Sequence, residues 1–174
     1  MTADNDNSIQ SQGLYVWQAD NLLAATSALD GHWQLSEGQS GSENDVMSTR
    51  IATDTRTIKL GDIFLALTGD NFDGHDYLDT AIAQGAVAAI VARPIATADA
   101  NSIPQLVVSD TRLALGQLAA YRRQQHQNLT VIAITGSSGK TTCKEMLGSI
   151  FGRLAPTLIT RGNLNNDLGV PMML

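Results

Sequence analysis

Residues 130–146, TVIAITGSSGKTTCKEM, limit the folds open to this chain more than any other stretch. Residues 130–135 are apolar and rich in β-branched side chains, which predicts a short buried strand. Gly136, Ser137, Ser138 and Gly139 then shrink the side chains and make positive φ cheap. Lys140, Thr141 and Thr142 open a stretch that predicts a helix to Arg153. Strand, glycine loop, Lys-Thr and helix in this order make a phosphate-binding loop. The reason is electrostatic: N–H groups of the loop and helix start converge on one concavity, where the helix dipole adds positive potential. Lys140 is suited to reach the β- and γ-phosphates as a point charge, and is the catalytic candidate. The Thr141 hydroxyl is suited to ligate Mg²⁺. Residues 136–142 are therefore the candidate set for a nucleotide's phosphates. The standard pattern has a glycine five positions before Gly139, where this chain has Ile134, so the loop is a compact T-G-S-S-G-K-T-T form. A bare Gly-Lys-Thr can be only a turn and a cap; the strand before it and the helix after it favour the phosphate loop.

A length of 174 residues allows one large domain, or one and a part. The formal net charge of −6 speaks against a nucleic-acid footprint, though not against a local nucleotide pocket. Cys143 is the single cysteine, so no intrachain disulfide can form and a reducing compartment fits. Its place just inside the helix predicts a small buried filler rather than a reactive thiol. The N-terminus lacks a basic-then-apolar leader, and apolar runs such as residues 86–92 are far too short to span a bilayer. A cytoplasmic monomer without membrane insertion is expected.

Taken in order, residues 1–13 are polar and aperiodic, which predicts a disordered tail. Residues 16–26 carry apolar positions at helical spacing, and residues 31–35 predict a strand. Residues 36–45 are Gly/Ser-rich and acidic, hence a loop. Strands are predicted at 46–54, 63–67, 86–91 and 105–108, and helices at 77–84 and 111–126. Gly85 reads as the cap ending the first of these helices. Trp17 and Trp33 read as core or half-buried. The fold class is α/β. We expect an N-terminal α/β domain over 14–127 and a phosphate-loop domain with a parallel sheet beginning at 128. That second domain supplies strands at 130–135 and 157–160, and residues 169–174 read as a helix start. A parallel sheet needs several strands before both its faces can be covered, so residues 128–174 are expected to be an incomplete domain at the front of a longer protein.

Three further loops concentrate polar groups. Thr53-Asp54-Thr55-Arg56 reads equally as a capped strand end with a surface ion pair, or as hydroxyl and guanidinium donors for a phosphorylated substrate. Residues 69–76 (GDNFDGHD) offer two glycines, Phe72 as a stacking surface, and Asp70, Asn71 and Asp73 as hydrogen-bonding groups. His75 there reads as a structural or surface histidine rather than a catalyst, and no second His or Cys stands at metal-ligand spacing. Residues 161–167 (RGNLNND) place Asn163, Asn165 and Asn166 after a strand, where α/β sheets bind ligands, although asparagines also serve turns alone.

Several long runs carry a family. T-D-T-R, K-L-G-D-I-F-L-A-L-T-G-D-N-F-D-G-H-D-Y, A-I-A-Q-G-A-V-A-A-I-V-A-R, V-V-S-D-T-R-L-A-L-G-Q-L-A, T-G-S-S-G-K-T-T-C-K-E-M and G-N-L-N-N-D-L-G-V-P together resemble the Mur ligases of peptidoglycan synthesis. The likeness covers residues 49–174. The Ser-Ser of the loop and the G-N-L-N-N-D run resemble the branch that joins D-alanyl-D-alanine to UDP-N-acetylmuramoyl-tripeptide. The resemblance implies three domains: one for the UDP end, a central ATPase, and a C-terminal domain like a dinucleotide-binding fold. It implies phosphorylation of a substrate carboxylate to an acyl phosphate, then attack by the incoming amine. By the same resemblance, residues 136–142 bind ATP phosphates and Mg²⁺. Thr53, Thr55, Arg56, Asp70, Asn71 and Phe72 lie at the UDP-sugar site. Asn163, Asn165 and Asn166 face the nucleotide–substrate junction.

The resemblance also places the family's carbamylated lysine, its acidic and histidine metal ligands and its C-terminal domain beyond Leu174. Competing readings are a non-catalytic UDP-sugar-binding piece, another Mur-type ligase, an unrelated phosphate-loop NTPase with a regulatory domain, and the relative that joins glutamates to folate. The 174-residue polypeptide alone is expected not to be a competent ligase. A coupled ADP-release assay with tripeptide substrate and D-alanyl-D-alanine should give no turnover.

Overall fold

A computed structural model of the chain describes residues 15–35, 42–69, 72–96, 102–162, 164 and 166–173. The predicted tail, most of the Gly/Ser-rich loop, Asp70, Asn71, Asn163 and Asn165 lie outside these residues. The chain divides into two compact units between Ala114 and Leu115.

The first unit is a sheet with short connections. β1 (Trp17–Gln18) leads into helix α1 (Ala19–Ala25), so the predicted helix gives up its first residues to a strand. β2 is His32–Gln34, β3 Met47–Ser48 and β4 Ile51–Ala52. The single strand predicted over 46–54 is thus two. Ser48 breaks it: its Oγ donates to Arg50 O at 2.9 Å and accepts from Arg50 N–H at 3.1 Å, a local bridge that competes with the ladder. As a result β3 pairs with β1, while β4 joins the main sheet.

That main sheet holds β5 (Ile63–Leu65), β8 (Ala88–Val91) and β9 (Gln105–Val107), in the order β2-β9-β8-β5-β4. Between β5 and β8 come a two-residue-per-strand hairpin, β6 (Thr68–Gly69) and β7 (Phe72–Asp73), and helix α2 (Leu78–Ala83). β4, β5, β8 and β9 run parallel, and β2 closes the edge antiparallel. Every residue of β5, β8 and β9 is buried, as expected of parallel strands covered on both faces. Phe64, Ala66, Leu78, Ala81, Ala89 and Val91 centre one apolar cluster, with Leu78 and Ala81 brought by α2. Gln105 is the polar exception in β9. Its amide donates to Ile95 O at 2.7 Å and accepts from Ile95 N–H at 2.9 Å, so both its ends are paired inside the core. Gly85 ends the turn after α2 at φ +99°, a conformation that favours glycine, and fills the role predicted for it.

Helix α3 (Thr111–Gln125) crosses the division between the units. Asp110 caps it, accepting from the N–H groups of Arg112 and Leu113 at 2.7 and 2.9 Å. In the second unit, helix α4 spans Lys140–Phe151, two residues shorter than predicted. The strands expected at 130–135 and 157–160 carry no ladder pairing among the described residues. Val131 and Ile132 are 57% and 50% exposed. The physical reason is that a strand exists only through its neighbours, and no other described strand of this unit lies beside either segment. Residues 157–160 instead lie against α4. A Cβ on Gly148 would stand 2.6 Å from Ile159 Cγ2, and Lys144 Nζ donates to Thr160 O at 2.7 Å. Residues 171–173 form a single 3₁₀ turn.

Gly74 is the glycine of the first unit most closely hemmed in by backbone. A Cβ there would meet Leu67 O at 2.6 Å, Leu67 N at 2.8 Å and Ala66 C at 3.0 Å, all backbone atoms that cannot swing aside. Gly74→Ala should therefore destabilise the first unit by about 1–3 kcal/mol, read as a lower urea midpoint by tryptophan fluorescence.

Candidate functional site

In a parallel sheet the side chains of the strands are committed to the core, so ligand chemistry falls to the loops at the carboxyl ends. Here two polar loops leave that edge: Thr53 follows β4, and the β6–β7 hairpin follows β5. Asp54 Oδ1 accepts from Arg56 N–H at 3.0 Å and so caps a 3₁₀ turn over Thr55–Thr57. The Arg56 guanidinium lies on the same carboxylate, with Nε 2.9 Å from Oδ1 and Nη2 2.6 Å from Oδ2. The Arg56 side chain hydrogen bond, then the Arg56 backbone N–H, hold Asp54 below its ordinary pKa, and Arg56 is raised in return. The pair is open to water, with the Arg56 side chain 86% exposed. Capped turn and surface ion pair are thus both present, and the outer face of the guanidinium still points to solvent. Thr53 and Thr55 are half-buried beside it.

The hairpin presents Phe72, 55% exposed, at its turn. A Cβ on Gly69 would stand 2.5 Å from Phe72 Cε1, so the ring lies over Gly69 and would have to shift for a larger residue there. Asp73 anchors the hairpin base. It accepts from His75 Nδ1 at 2.5 Å, His75 N–H at 3.0 Å and Arg93 Nη2 at 2.8 Å. His75 is buried, and its Nε2 accepts from Ala92 N–H at 2.8 Å. Of the structural and surface roles expected for His75, the buried, doubly hydrogen-bonded one is present. Arg93 was not legible as part of this cluster, because it stands 20 residues away in sequence and only the sheet brings β8's exit beside β5's.

In the second unit the phosphate-loop residues lie at the start of α4. Gly136 and Gly139 have φ of +143° and +79°, values that β-carbon-bearing residues rarely adopt. Gly139 caps the helix and accepts Cys143 N–H at 2.9 Å. The first helical N–H groups, from Lys140 to Thr142, have no carbonyl ahead of them in the helix. Lys140 folds back and donates from Nζ to Gly136 O at 2.5 Å, so the ammonium lies across the loop it follows. Ser137, Ser138, Thr141 and Thr142 are exposed, and a Cβ on Gly139 would meet nothing within 4 Å. Cys143 is exposed too, against the expectation of a buried filler. It follows the open first turn of α4, where the described residues supply no layer to cover it. In the 161–167 loop, Asn166 Oδ1 accepts Gly169 N–H at 2.7 Å, so this asparagine shapes a turn.

The Arg93 guanidinium, then the His75 backbone N–H and imidazole, hold the Asp73 carboxyl well below the usual carboxylate range. A depressed folded-state value contributes stability that is complete above the unfolded value of about 3.9 and is lost as pH falls below it. Acidification from neutral pH to about pH 3 should lower the urea midpoint of the first unit less in Asp73→Asn than in the wild type.

The chain also has close relatives. The profile described as "Mur ligase family, catalytic domain" matches residues 48–123, and "Mur ligase middle domain" matches residues 134–174. The UDP-N-acetylmuramoyl-tripeptide–D-alanyl-D-alanine ligase of Escherichia coli K12 is 51% identical over 130 residues, covering 75% of this chain and 28% of that one. The solved UDP-N-acetylmuramoylalanyl-D-glutamyl-2,6-diaminopimelate–D-alanyl-D-alanyl ligase of Acinetobacter baumannii is 55% identical, with a TM-score of 0.78 over 94% of this chain and 34% of that one. The MurF ligase of Thermotoga maritima, solved in complex with ADP, is 35% identical, with a TM-score of 0.60 over 71% of this chain and 28% of that one. The chain thus spans about a third or less of the length of these relatives. Two family profiles in tandem, a shared parallel sheet and a glycine loop opening α4 agree, and the chain belongs to the Mur ligase family.

Proposed function

We propose that this chain is the front part of an ATP-dependent ligase that adds D-alanyl-D-alanine to UDP-N-acetylmuramoyl-tripeptide in cell-wall precursor synthesis. The observation that carries the reading is the loop from Gly136 to Lys140, with two glycines at positive φ and an ammonium lying across it. The named substrates of the E. coli and Acinetobacter relatives supply the rest, and the latter favours 2,6-diaminopimelate as third peptide residue.

The residues present fit a nucleotide. The loop interior is open at Gly139, and the first-turn N–H groups of α4 are the donors a polyphosphate needs. Lys140 would leave Gly136 O for a phosphate oxygen, a stronger acceptor for an ammonium than a neutral carbonyl. Thr141 would supply the hydroxyl ligand to Mg²⁺. No group of three or more His, Cys, Asp or Glu side chains that could hold a metal occurs among the described residues. Phosphate oxygens and water would complete the shell, a pattern Mg²⁺ accepts. When bound, the nucleotide supplies the phosphoryl group that activates the substrate carboxylate as an acyl phosphate. The part of Lys140 and the loop amides is to hold that group in line and to neutralise the charge that spreads over its oxygens.

On the first unit, we assign Thr53, Thr55, Arg56 and the Phe72 hairpin, with Asp70 and Asn71, to the UDP end of the substrate. Asn163, Asn165 and Asn166 we assign to the junction between nucleotide and substrate. No described helix is long and apolar enough to cross a membrane, and we place the enzyme in the cytoplasm.

The test is a chimera in which this chain replaces the matching front part of the Acinetobacter ligase. It should release ADP only when UDP-N-acetylmuramoyl-tripeptide and D-alanyl-D-alanine are both present. Lys140→Met in that chimera should lower kcat by roughly 10²–10³-fold, the scale of losing one charge-stabilising donor. Full turnover by the Lys140→Met chimera would refute the role given to the loop.

A further inference from the structure

We propose that Arg93, Asp73 and His75 form a clamp that fixes the Phe72 hairpin to the exit of β8 and so presets one wall of a uridine-nucleotide pocket, with Arg93 and His75 as positioning residues. The proposal deepens the ligase reading given above and rests on its assignment of the UDP end to this sheet edge.

The hairpin cannot hold itself. Its strands are two residues each, pairing Thr68 with Asp73 and Gly69 with Phe72, and an isolated hairpin is marginal even when longer. Its outer aromatic is exposed rather than packed into the core. Position must therefore come from the base, and Asp73 is where it arrives. Its Oδ1 accepts from Thr68 Oγ1 at 3.3 Å, from His75 N–H at 3.0 Å and from His75 Nδ1 at 2.5 Å, and its Oδ2 from Arg93 Nη2 at 2.8 Å.

The imidazole is fixed at both ends. A backbone amide can only donate, so the contact from Ala92 N–H at 2.8 Å leaves Nε2 as an acceptor, and Nδ1–H is the donor to Asp73. The ring is 2% exposed, which removes water as an alternative partner at either nitrogen. Ala92 and Arg93 directly follow β8, whose four residues are all buried. Two links thus run from the end of a wholly buried strand to a short exposed hairpin, one through the imidazole and one through the guanidinium. A loop that served only to connect β5 with α2 would not need the residue beside its exposed ring tied twice to a neighbouring strand. A loop that presents a flat ring to a ligand does, because holding it in place beforehand lowers the ordering cost of binding.

The 174-residue chain is titrated with UDP by calorimetry. The wild type is expected to bind, and Arg93→Met to weaken binding by roughly three- to tenfold through lost preorganisation. Its thermal midpoint should fall only modestly, because the Arg93 side chain is 55% exposed and water screens its pairing with Asp73. Arg93→Lys should recover part of the affinity, and His75→Asn, which keeps a donor toward Asp73 but loses the acceptor for Ala92, should weaken UDP at least as much as Arg93→Met. Long-range ¹H–¹⁵N spectra should assign the Nδ1–H tautomer to His75. Unchanged UDP affinity in Arg93→Met, or the Nε2–H tautomer, overturns the clamp while leaving the ligase reading intact. If His75→Asn does not fold, Arg93→Met and the tautomer decide. A wild type that binds ADP but not UDP overturns the assignment of this edge to the uridine end, and the clamp's role with it.

Discussion

Burial of the parallel strands on both faces is the constraint from which the rest of this structure follows. β5, β8 and β9 have no residue free to face solvent, so no chemistry can be placed on them. Whatever the first unit offers a ligand must come from the chain leaving these strands. The turn at Asp54, the hairpin at Phe72 and the Ala92–Arg93 exit all lie at that one edge for this reason. The one polar side chain within β5, β8 and β9, Gln105, is tolerated because both ends of its amide are paired with Ile95.

The two units position polar groups by different means. In the second unit the means is local: two glycines at positive φ bend the chain so that amides and the Lys140 ammonium gather at one helix start. Everything needed lies within a few consecutive residues. In the first unit the means is tertiary. Asp73 draws together donors from its own hairpin, from a buried histidine and from an arginine across the sheet. Polar contacts that neutral partners would make only weakly gain from the ionised carboxylate shared among them.

The legibility of the chain divides along the same line. Residues 63–65 and 88–91 were readable as buried strands because continuous apolar runs admit few other fates, and helix α3 because its periodicity is long. The glycine loop was readable because its chemistry is contiguous. Ser48 was harder: its side chain bridges to Arg50 and splits one apparent strand between two sheets, a competition that pattern alone does not weigh. Residues 130–135 have strand composition but no strand, because composition records a preference and pairing needs a neighbour. Cys143 failed for a related reason, since a small apolar residue is buried only where another layer covers it.

What the amino-acid order determined by itself was the α/β class, the glycine loop with Lys140 behind it, and the family those runs belong to. What only the tertiary structure decided was which distant residues meet: Arg93 with Asp73, and His75 with the amide of Ala92. Backbone bending and helix starts are set by neighbours along the chain. Contacts between loops depend on strand order and register, which are fixed only when the whole sheet has formed.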